Sequence, residues 1–241
     1  MADDRLIVAL DFHTMEEVKD LVGRLGDSVS TYKVGMELFY SVGSESVIWL
    51  KEQGKKVFLD LKLHDIPNTV ASGLCSLLDL GADMLNVHAG GGFTMMKTAA
   101  DRLHAEAEKR GVPCPKLIAV TVLTSISQEE WDDLGFAQNV QIKSIAVRFA
   151  KLAQKAGLDG VVASPHETEL IHEGCGSDFL VVTPGVRPEG SSVGDQSRIA
   201  TPAAALKAGA SHLVVGRPIR QAVDPVKAAN DIIKEMEQVN K

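Results

Sequence analysis

The stretch KVFLDLKLHDIPNTV, residues 56–70, begins with an apolar run typical of a buried strand and ends in charged residues. Because side chains alternate along a strand, the run predicts one leucine face and one charged face. The leucine face holds Leu59, Leu61 and Leu63, and the charged face holds Phe58, Asp60, Lys62 and His64. We expect the leucines to pack against helices and the charges to face the interior of a closed sheet.

Seven further apolar runs resemble this one, and amphipathic helical segments separate them. The eight strand candidates are residues 5–12, 31–38, 56–63, 82–89, 116–123, 160–165, 179–186 and 212–218. Continuous Val, Ile and Leu runs are typical of parallel strands covered on both faces. Eight such units predict an α/β fold, a single-domain (β/α)8 TIM barrel spanning residues 1–241. The alternative is an open doubly wound sheet, which usually has fewer strands and whose GxGxxG fingerprint is missing after the first strand.

Composition excludes several classes of partner. The formal net charge of −7 argues against a nucleic-acid-binding or anionic-membrane surface, since phosphate groups attract clustered Lys and Arg. The opening MADDRLIVALDF lacks the basic start of a secretory signal, and no apolar run reaches the roughly 18 residues of a membrane span. Cys75, Cys114 and Cys175 are widely spaced, which predicts reduced thiols. We therefore expect a cytoplasmic protein that binds neither nucleic acid nor membrane.

Polar residues should converge on one mouth of the barrel, because active sites of this fold lie at the carboxyl ends of the strands. The candidates at these ends are Asp11, Lys33, Asp60, Lys62, His88, Thr124, Ser125, Ser164, Arg187, Gly216 and Arg217. A purely structural Asp60–Lys62 ion pair is the less favoured alternative, since burying two ions is often not stabilising. Neighbouring carboxylates keep a lysine protonated, which predicts that Lys62 is a general acid able to protonate a carbanion.

A phosphate site is predicted after the last two strands. TPGVRPEGSSVGDQSR, residues 183–198, places Arg187 after the seventh strand, and VGRPI places Gly216 and Arg217 after the eighth. Phosphate sites in this fold frequently use these two loops, and helix-start N–H groups and arginine both bind phosphate. The alternatives are a long surface loop and solvated arginines.

Taken together, these segments resemble the compact bacterial form of the orotidine 5′-monophosphate decarboxylase family. The resemblance rests on DLKLHDIPNTV (60–70), Asp11, Lys33, VTVLTS (120–125), PGVRP (184–188), GDQSR (194–198) and VGRPI (215–219). It implies decarboxylation of orotidine 5′-monophosphate (OMP) to uridine 5′-monophosphate (UMP) in pyrimidine biosynthesis, without metal or organic cofactor. Loss of carbon dioxide leaves a carbanion at pyrimidine C6, and Lys62 is implied as its proton donor.

The same resemblance implies a role for each remaining candidate. Asp60 would lie beside the substrate carboxylate, and Lys33 and Asp11 would bind ribose hydroxyls. Asp65 and Thr69 would reach into the site of a second subunit, which makes a homodimer the expected active form. The remaining substrate-binding candidates are Thr124 and Ser125 at the pyrimidine edge, Gln196 between phosphate and base, and Arg187, Gly216 and Arg217 at the phosphate. For Thr124 and Ser125, capping of the next helix is the alternative.

Two rival functions stay open. A metal-dependent sugar-phosphate decarboxylase or synthase shares the DxKxxD segment, but it would be expected to carry an acidic metal ligand on the second strand, where this sequence has Lys33. A sensor of phosphorylated ligands would bind UMP without turnover, but it would have no need of a proton donor such as Lys62. For His88 we expect a packing or hydrogen-bonding role rather than that of a general base.

Overall fold

Eight parallel strands close into a barrel in which each strand pairs with its neighbours in chain order and β8 pairs with β1. The computed structural model describes residues 2–135, 140–188 and 200–240. The strands are β1 Leu6–Ala9, β2 Thr31–Gly35, β3 Lys56–Leu63, β4 Met84–His88, β5 Lys116–Val120, β6 Gly160–Val162, β7 Leu180–Thr183 and β8 His212–Val215. Each lies within a predicted run, so the (β/α)8 barrel is confirmed and the open-sheet alternative is wrong.

Helices follow the strands along the chain and cover the outside of the barrel. They are α1 Met15–Leu25, α2 Met36–Val42, α3 Glu45–Glu52, α4 Pro67–Leu77, α5 Gly92–Arg110, α6 Gln128–Asp133, α7 Ile142–Lys155, α8 Thr168–Cys175, α9 Pro202–Lys207, α10 Arg217–Arg220 and α11 Pro225–Glu237. Within the described ranges, none of them is both long enough and apolar enough to cross a bilayer.

The core has three parts, the smallest of which is a separate cluster of Val122, Trp131, Ile142 and Ile145. The largest part fills the space between strands and helices and includes Leu59 and Leu61. The second part lies inside the barrel and consists of Ile7, Ala9, Phe58, Met84, Ile118, Val182 and Val214. Phe58 belongs to this inner cluster, so Asp60, two residues further along β3, is the next side chain on the inward face. The inner cluster therefore forms the floor beneath the polar residues at the mouth.

The end of β3 departs from the strict alternation that we predicted. The pairing of β3 with β4 changes register between Leu59 and Leu63, and Lys62 has a φ of 52°. In the described part of the chain, Lys62 is the only residue other than glycine with a positive φ. Such irregularities bend a strand and redirect side chains, and they occur preferentially near active sites. The prediction is wrong for His64, which lines a different cavity from Asp60 and Lys62.

Candidate active site

Four alternating charges form a row across the ends of the first three strands; we call Asp11, Lys33, Asp60 and Lys62 the charge row. Lys33 Nζ lies 3.3 Å from Asp11 Oδ1 and 3.4 Å from Asp60 Oδ2. Lys62 Nζ donates to Asp60 Oδ1 at 2.7 Å. Parallel neighbours in a barrel place their carboxyl ends side by side, which is why residues far apart in sequence meet here.

The middle of the charge row is buried and stays ionised. The side chains of Asp60 and Lys33 are only 10% and 12% exposed. Burial alone raises the pKa of Asp60, but attraction to Lys33 and Lys62 outweighs it and lowers that pKa. Burial likewise lowers the pKa of Lys33, yet the carboxylates of Asp60 and Asp11 raise it overall. Lys33 and Asp60 therefore stay ionised at neutral pH.

Asn86, on β4, holds both ends of the Asp60–Lys62 pair, and the sequence interpretation missed it. Its amide oxygen accepts the backbone N–H of Lys62 at 2.8 Å. This leaves its NH2 group to donate to Asp60 Oδ1 at 2.7 Å. Asn86 is 2% exposed. A lone amide within the apolar run MLNVH was the signal available, since a buried polar side chain requires a partner.

Two cavities adjoin at the barrel mouth and share Lys33, Pro184 and Val214 in their walls. The first, about 190 Å³, we call the lysine cavity because Lys33 and Lys62 line it together with Asp60. Its other walls combine the predicted Thr124 and Ser125 with apolar side chains of β5 and β6. This combination suits a flat polar ring.

The second cavity, about 370 Å³, we call the arginine cavity. Arg187, Arg217 and Arg220 line it, together with Asp11, Glu37 and Gly216. Arg187 is buried, and its Nη1 donates to the Val186 carbonyl at 2.9 Å. Three guanidinium groups create a local positive region on a chain whose formal net charge is −7. Such a region favours a phosphate group. Predicted residue Gln196 lies outside the described residues.

Asp65 and Thr69 lie apart from the charge row. Both are exposed, at the segment that joins β3 to α4 and in the first turn of α4. Asp65 Oδ1 accepts the backbone N–H of Ile66 at 2.6 Å. Among the described residues, Asp65 forms no ion pair with Lys33 or Lys62. Around the two cavities, a single copy of the chain thus brings together the residues in the described ranges that are predicted to bind or act on the substrate, except these two. Of the other strand-end candidates, His88 lines a different cavity, and Ser164 is buried and lines neither.

A third cavity, about 1000 Å³, shares Val122 and Leu123 with the lysine cavity; we call it the apolar cavity. Most of its lining is hydrophobic, and the rings of His64 and His88 lie 5.3 Å apart at its edge. Burial lowers the pKa of His88, with a further contribution from His64. Within the same described ranges, no three His, Cys, Asp or Glu side chains gather in a way that could hold a metal ion.

Comparison with known proteins identifies the family of this chain. The family model for "Orotidine 5'-phosphate decarboxylase / HUMPS family" matches residues 4–232. The chain belongs to this family. The resemblance inferred from the sequence motifs is therefore confirmed, and with it the assignment of the chain as a decarboxylase of this family.

Individual relatives support the same conclusion. The orotidine 5′-phosphate decarboxylase of Moorella thermoacetica is 51% identical over 239 residues, covering 99% of this chain and 94% of its own length. That of Syntrophomonas wolfei is 46% identical and covers 98% and 99%, respectively. The crystal structure of the Lactobacillus acidophilus orotidine 5′-phosphate decarboxylase superimposes with a TM-score of 0.83 at 44% identity, covering 97% of this chain and 99% of that one. Members of the orotidine 5′-phosphate decarboxylase family thus match this chain over nearly its whole length.

Proposed function

We propose that this protein converts OMP to UMP and carbon dioxide in pyrimidine biosynthesis, with Lys62 as the proton donor and without a cofactor. The observation that carries the proposal is the charge row, which faces a cavity for a flat ring next to a cavity lined by three arginines. A nucleotide has the same order of parts: base, ribose and phosphate. The family membership supplies the substrate that fits this order.

The position of Lys62 supports its proposed action on the base. Its Nζ lies 2.7 Å from Asp60 Oδ1 and lines the lysine cavity. When the bond from C6 to the carboxylate breaks, its electron pair stays on C6 while carbon dioxide leaves. The ammonium group then gives one proton to C6 and becomes a neutral amine, which solvent reprotonates. A charge that develops only in the transition state is the kind that a fixed ammonium group stabilises selectively.

Asp60 contributes in two ways of different size. Its carboxylate would lie beside that of the substrate, and two like charges about 4 Å apart repel by roughly 4 kcal/mol at an effective dielectric constant of 20. Enzymes lower barriers by about 8 to 23 kcal/mol, so this repulsion is too small to be the whole effect. The larger contribution is to position Lys62, because Asp60 and Asn86 together fix the ammonium end and the backbone of that residue.

The remaining residues bind the non-reacting parts of the nucleotide. Lys33 lines both cavities, and Asp11, whose Oδ1 lies 3.3 Å from Lys33 Nζ, lines the arginine cavity beside it, which suits hydrogen bonds to ribose hydroxyls. Thr124 and Ser125 line the base end. Arg187, Gly216 and Arg217 bind the phosphate, and Gln196 is proposed to span phosphate and base. Binding energy gained at the phosphate, remote from C6, contributes to catalysis by ordering the site.

We further propose a homodimer in which Asp65 and Thr69 enter the neighbouring subunit's site. Support comes from their exposure on a segment that also carries Ile66, whose large apolar side chain is 67% exposed. His64, immediately before Asp65, borders the apolar cavity, so this segment adjoins a surface that a second copy could bury. A shared site would explain why one chain leaves Asp65 distant from the charge row.

A cytoplasmic location is part of the same proposal. Cys75, Cys114 and Cys175 all carry free thiols. Unpaired cysteines fit a reducing compartment.

The deciding experiment treats the purified protein with a chelator, removes the chelator and follows conversion of OMP to UMP. We expect turnover at an unchanged rate after metal removal. A rate that returns only with added magnesium would instead indicate the metal-dependent sugar-phosphate class. Binding of UMP without turnover of OMP would indicate a sensor.

A further inference from the structure

Arg220, at the end of the short helix α10, reaches back to the end of β1. Its Nη1 donates to the backbone carbonyl of Asp11. Its Nη2 lies 4.0 Å from Asp11 Oδ2, and its guanidinium carbon lies 5.2 Å from the ring centre of Phe12. The side chain is 21% exposed, so these contacts are partly shielded from water. One guanidinium group thus contacts the backbone and carboxylate of Asp11 and the ring that follows.

We infer that Arg220 is a positioning residue for Asp11, and hence for the ribose of the substrate; the inference rests on the function proposed above. None of the residues predicted from the sequence has this role. Arg220 would act by holding the Asp11 carboxylate in the orientation that receives a ribose hydroxyl. It would not be a further phosphate ligand, although it lines the arginine cavity.

The reason for this assignment is the direction of its contacts. Asp11 Oδ1 faces Lys33 Nζ at 3.3 Å, and Oδ2 faces Arg220. Lys33 Nζ is shared between Asp11 Oδ1 and Asp60 Oδ2. Without Arg220, Asp11 Oδ2 would therefore lose its cationic neighbour. Cations on both sides fix the rotation of the carboxylate, because turning it would separate one oxygen from its partner.

Glycines leave space for this carboxylate on both sides. A Cβ at Gly216 would lie 3.5 Å from Asp11 Oδ2, and a Cβ at Gly35 would lie 3.7 Å from Asp11 Oδ1 and 2.8 Å from Lys33 Nζ. The Asp11 carboxylate therefore sits closely between β2 and the start of α10. Within this space Arg220 supplies the cation from the β8 side.

Arginine suits this position better than lysine. Its planar group can donate from two nitrogens in a fixed geometry and stack on an aromatic face at the same time. With Nη1 on the Asp11 carbonyl, Nη2 toward the carboxylate and its face over Phe12, both terminal nitrogens of the guanidinium are directed at the end of β1, while its buried Nε has no hydrogen-bond partner among the described residues. This is why we assign it to ribose positioning rather than to the phosphate.

The test compares Arg220→Met with the unaltered protein in OMP turnover. We expect KM for OMP to rise about tenfold and kcat to change less than about threefold, because a charge-assisted contact to a binding group is lost while Lys62 keeps its place. The inhibition constant of inorganic phosphate should change less than about twofold, since the proposed phosphate-binding residues Arg187, Gly216 and Arg217 are unaltered. Arg110→Met, which removes an arginine paired with Asp79 and Glu106 on the outer surface, is the matched control.

A double-mutant cycle with Asp11→Asn separates positioning from a general loss of structure. In the Asp11→Asn background, Arg220→Met should raise KM for OMP by less than about threefold, because the effects of two interacting residues are not additive. A tenfold rise in KM in both backgrounds would overturn the inference. So would an Arg220→Met variant in which only the inhibition by inorganic phosphate is weakened. If Arg220→Met does not fold, as judged by its thermal transition, Arg220→Lys enters the same cycle. An inactive unaltered protein would refute the proposed function, whereas an active one that is indifferent to Arg220→Met would refute only this inference.

Discussion

Replacing Lys62 with Met removes the proposed proton donor while keeping most of the side-chain volume. The size of the effect follows from the geometry. At the 2.7 Å that separates Lys62 Nζ from Asp60 Oδ1, opposite unit charges attract by about 6 kcal/mol at an effective dielectric constant of 20. A carbanion held at a similar distance would receive comparable stabilisation, which corresponds to about 10⁴-fold in rate. We therefore expect kcat for OMP to fall at least about 10⁴-fold in Lys62→Met.

The binding of product should survive the same change. UMP has neither the carboxylate nor the carbanion that Lys62 would contact, so its Kd, measured by calorimetry, should change less than about tenfold. Asp60 keeps Asn86 at 2.7 Å and Lys33 at 3.4 Å, which prevents an unpaired buried carboxylate. The fold should therefore be retained.

Lys56→Met is the matched control. Lys56 lies on the same strand at its amino end, where it pairs with Asp4 at 2.6 Å. Its replacement should leave kcat unchanged. The reasoning would be refuted if Lys62→Met, correctly folded and binding UMP, lost less than about 100-fold in kcat, because another acid would then protonate C6.

Three further outcomes are expected. Equal amounts of Lys62→Met and Asp65→Asn subunits, allowed to exchange, should regain about a quarter of the unaltered activity, because half of the dimers are mixed and each holds one intact site; no recovery after verified exchange would contradict the shared site. Asp60→Asn should lower the free energy of unfolding at pH 7 by about 3–5 kcal/mol, since Lys33 and Lys62 lose their common partner. Because the pKa of Asp60 is lowered in the folded state, the whole stability difference should be present above pH 3.8, the ordinary pKa of an aspartate, and should disappear as the pH falls through the folded-state pKa. Denaturant titrations at several pH values measure it, and a difference that stays constant in acid would contradict the prediction. Finally, Lys62→Gly should be more stable than Lys62→Ala by about 1 kcal/mol, because a φ of 52° strains any residue with a Cβ; equal midpoints in urea would show no such strain.

Much of the fold could be predicted because its signals are local. Each apolar run predicted a strand without knowledge of its partners, and helix starts depend on equally local features, such as the capping box of Thr14 and Glu17 at the start of α1. The regular succession of strands and helices then limited the architecture to one that buries both faces of a parallel sheet. The chemistry at the strand ends also followed, since this fold brings those ends together at one mouth.

Other features depend on how neighbouring strands pair. The change of register between β3 and β4 sets the direction of Lys62 and turns His64 toward the apolar cavity, which a period of two could not anticipate. Asn86 became part of the site only because β4 lies beside the end of β3. Arg220 lies 209 residues from Asp11 in the sequence, and no pattern links the two.

The amino-acid order alone was enough to specify the barrel and to place Asp11, Lys33, Asp60 and Lys62 at its mouth, because hydrophobic periodicity and strand direction act over a few residues at a time. Only the tertiary structure decided which oxygen faces which ammonium group, that Asn86 and Arg220 support them, and that Asp65 lies apart. The physical reason is that such contacts are set by closure of the barrel, where β8 meets β1 and the register of each strand depends on its neighbours.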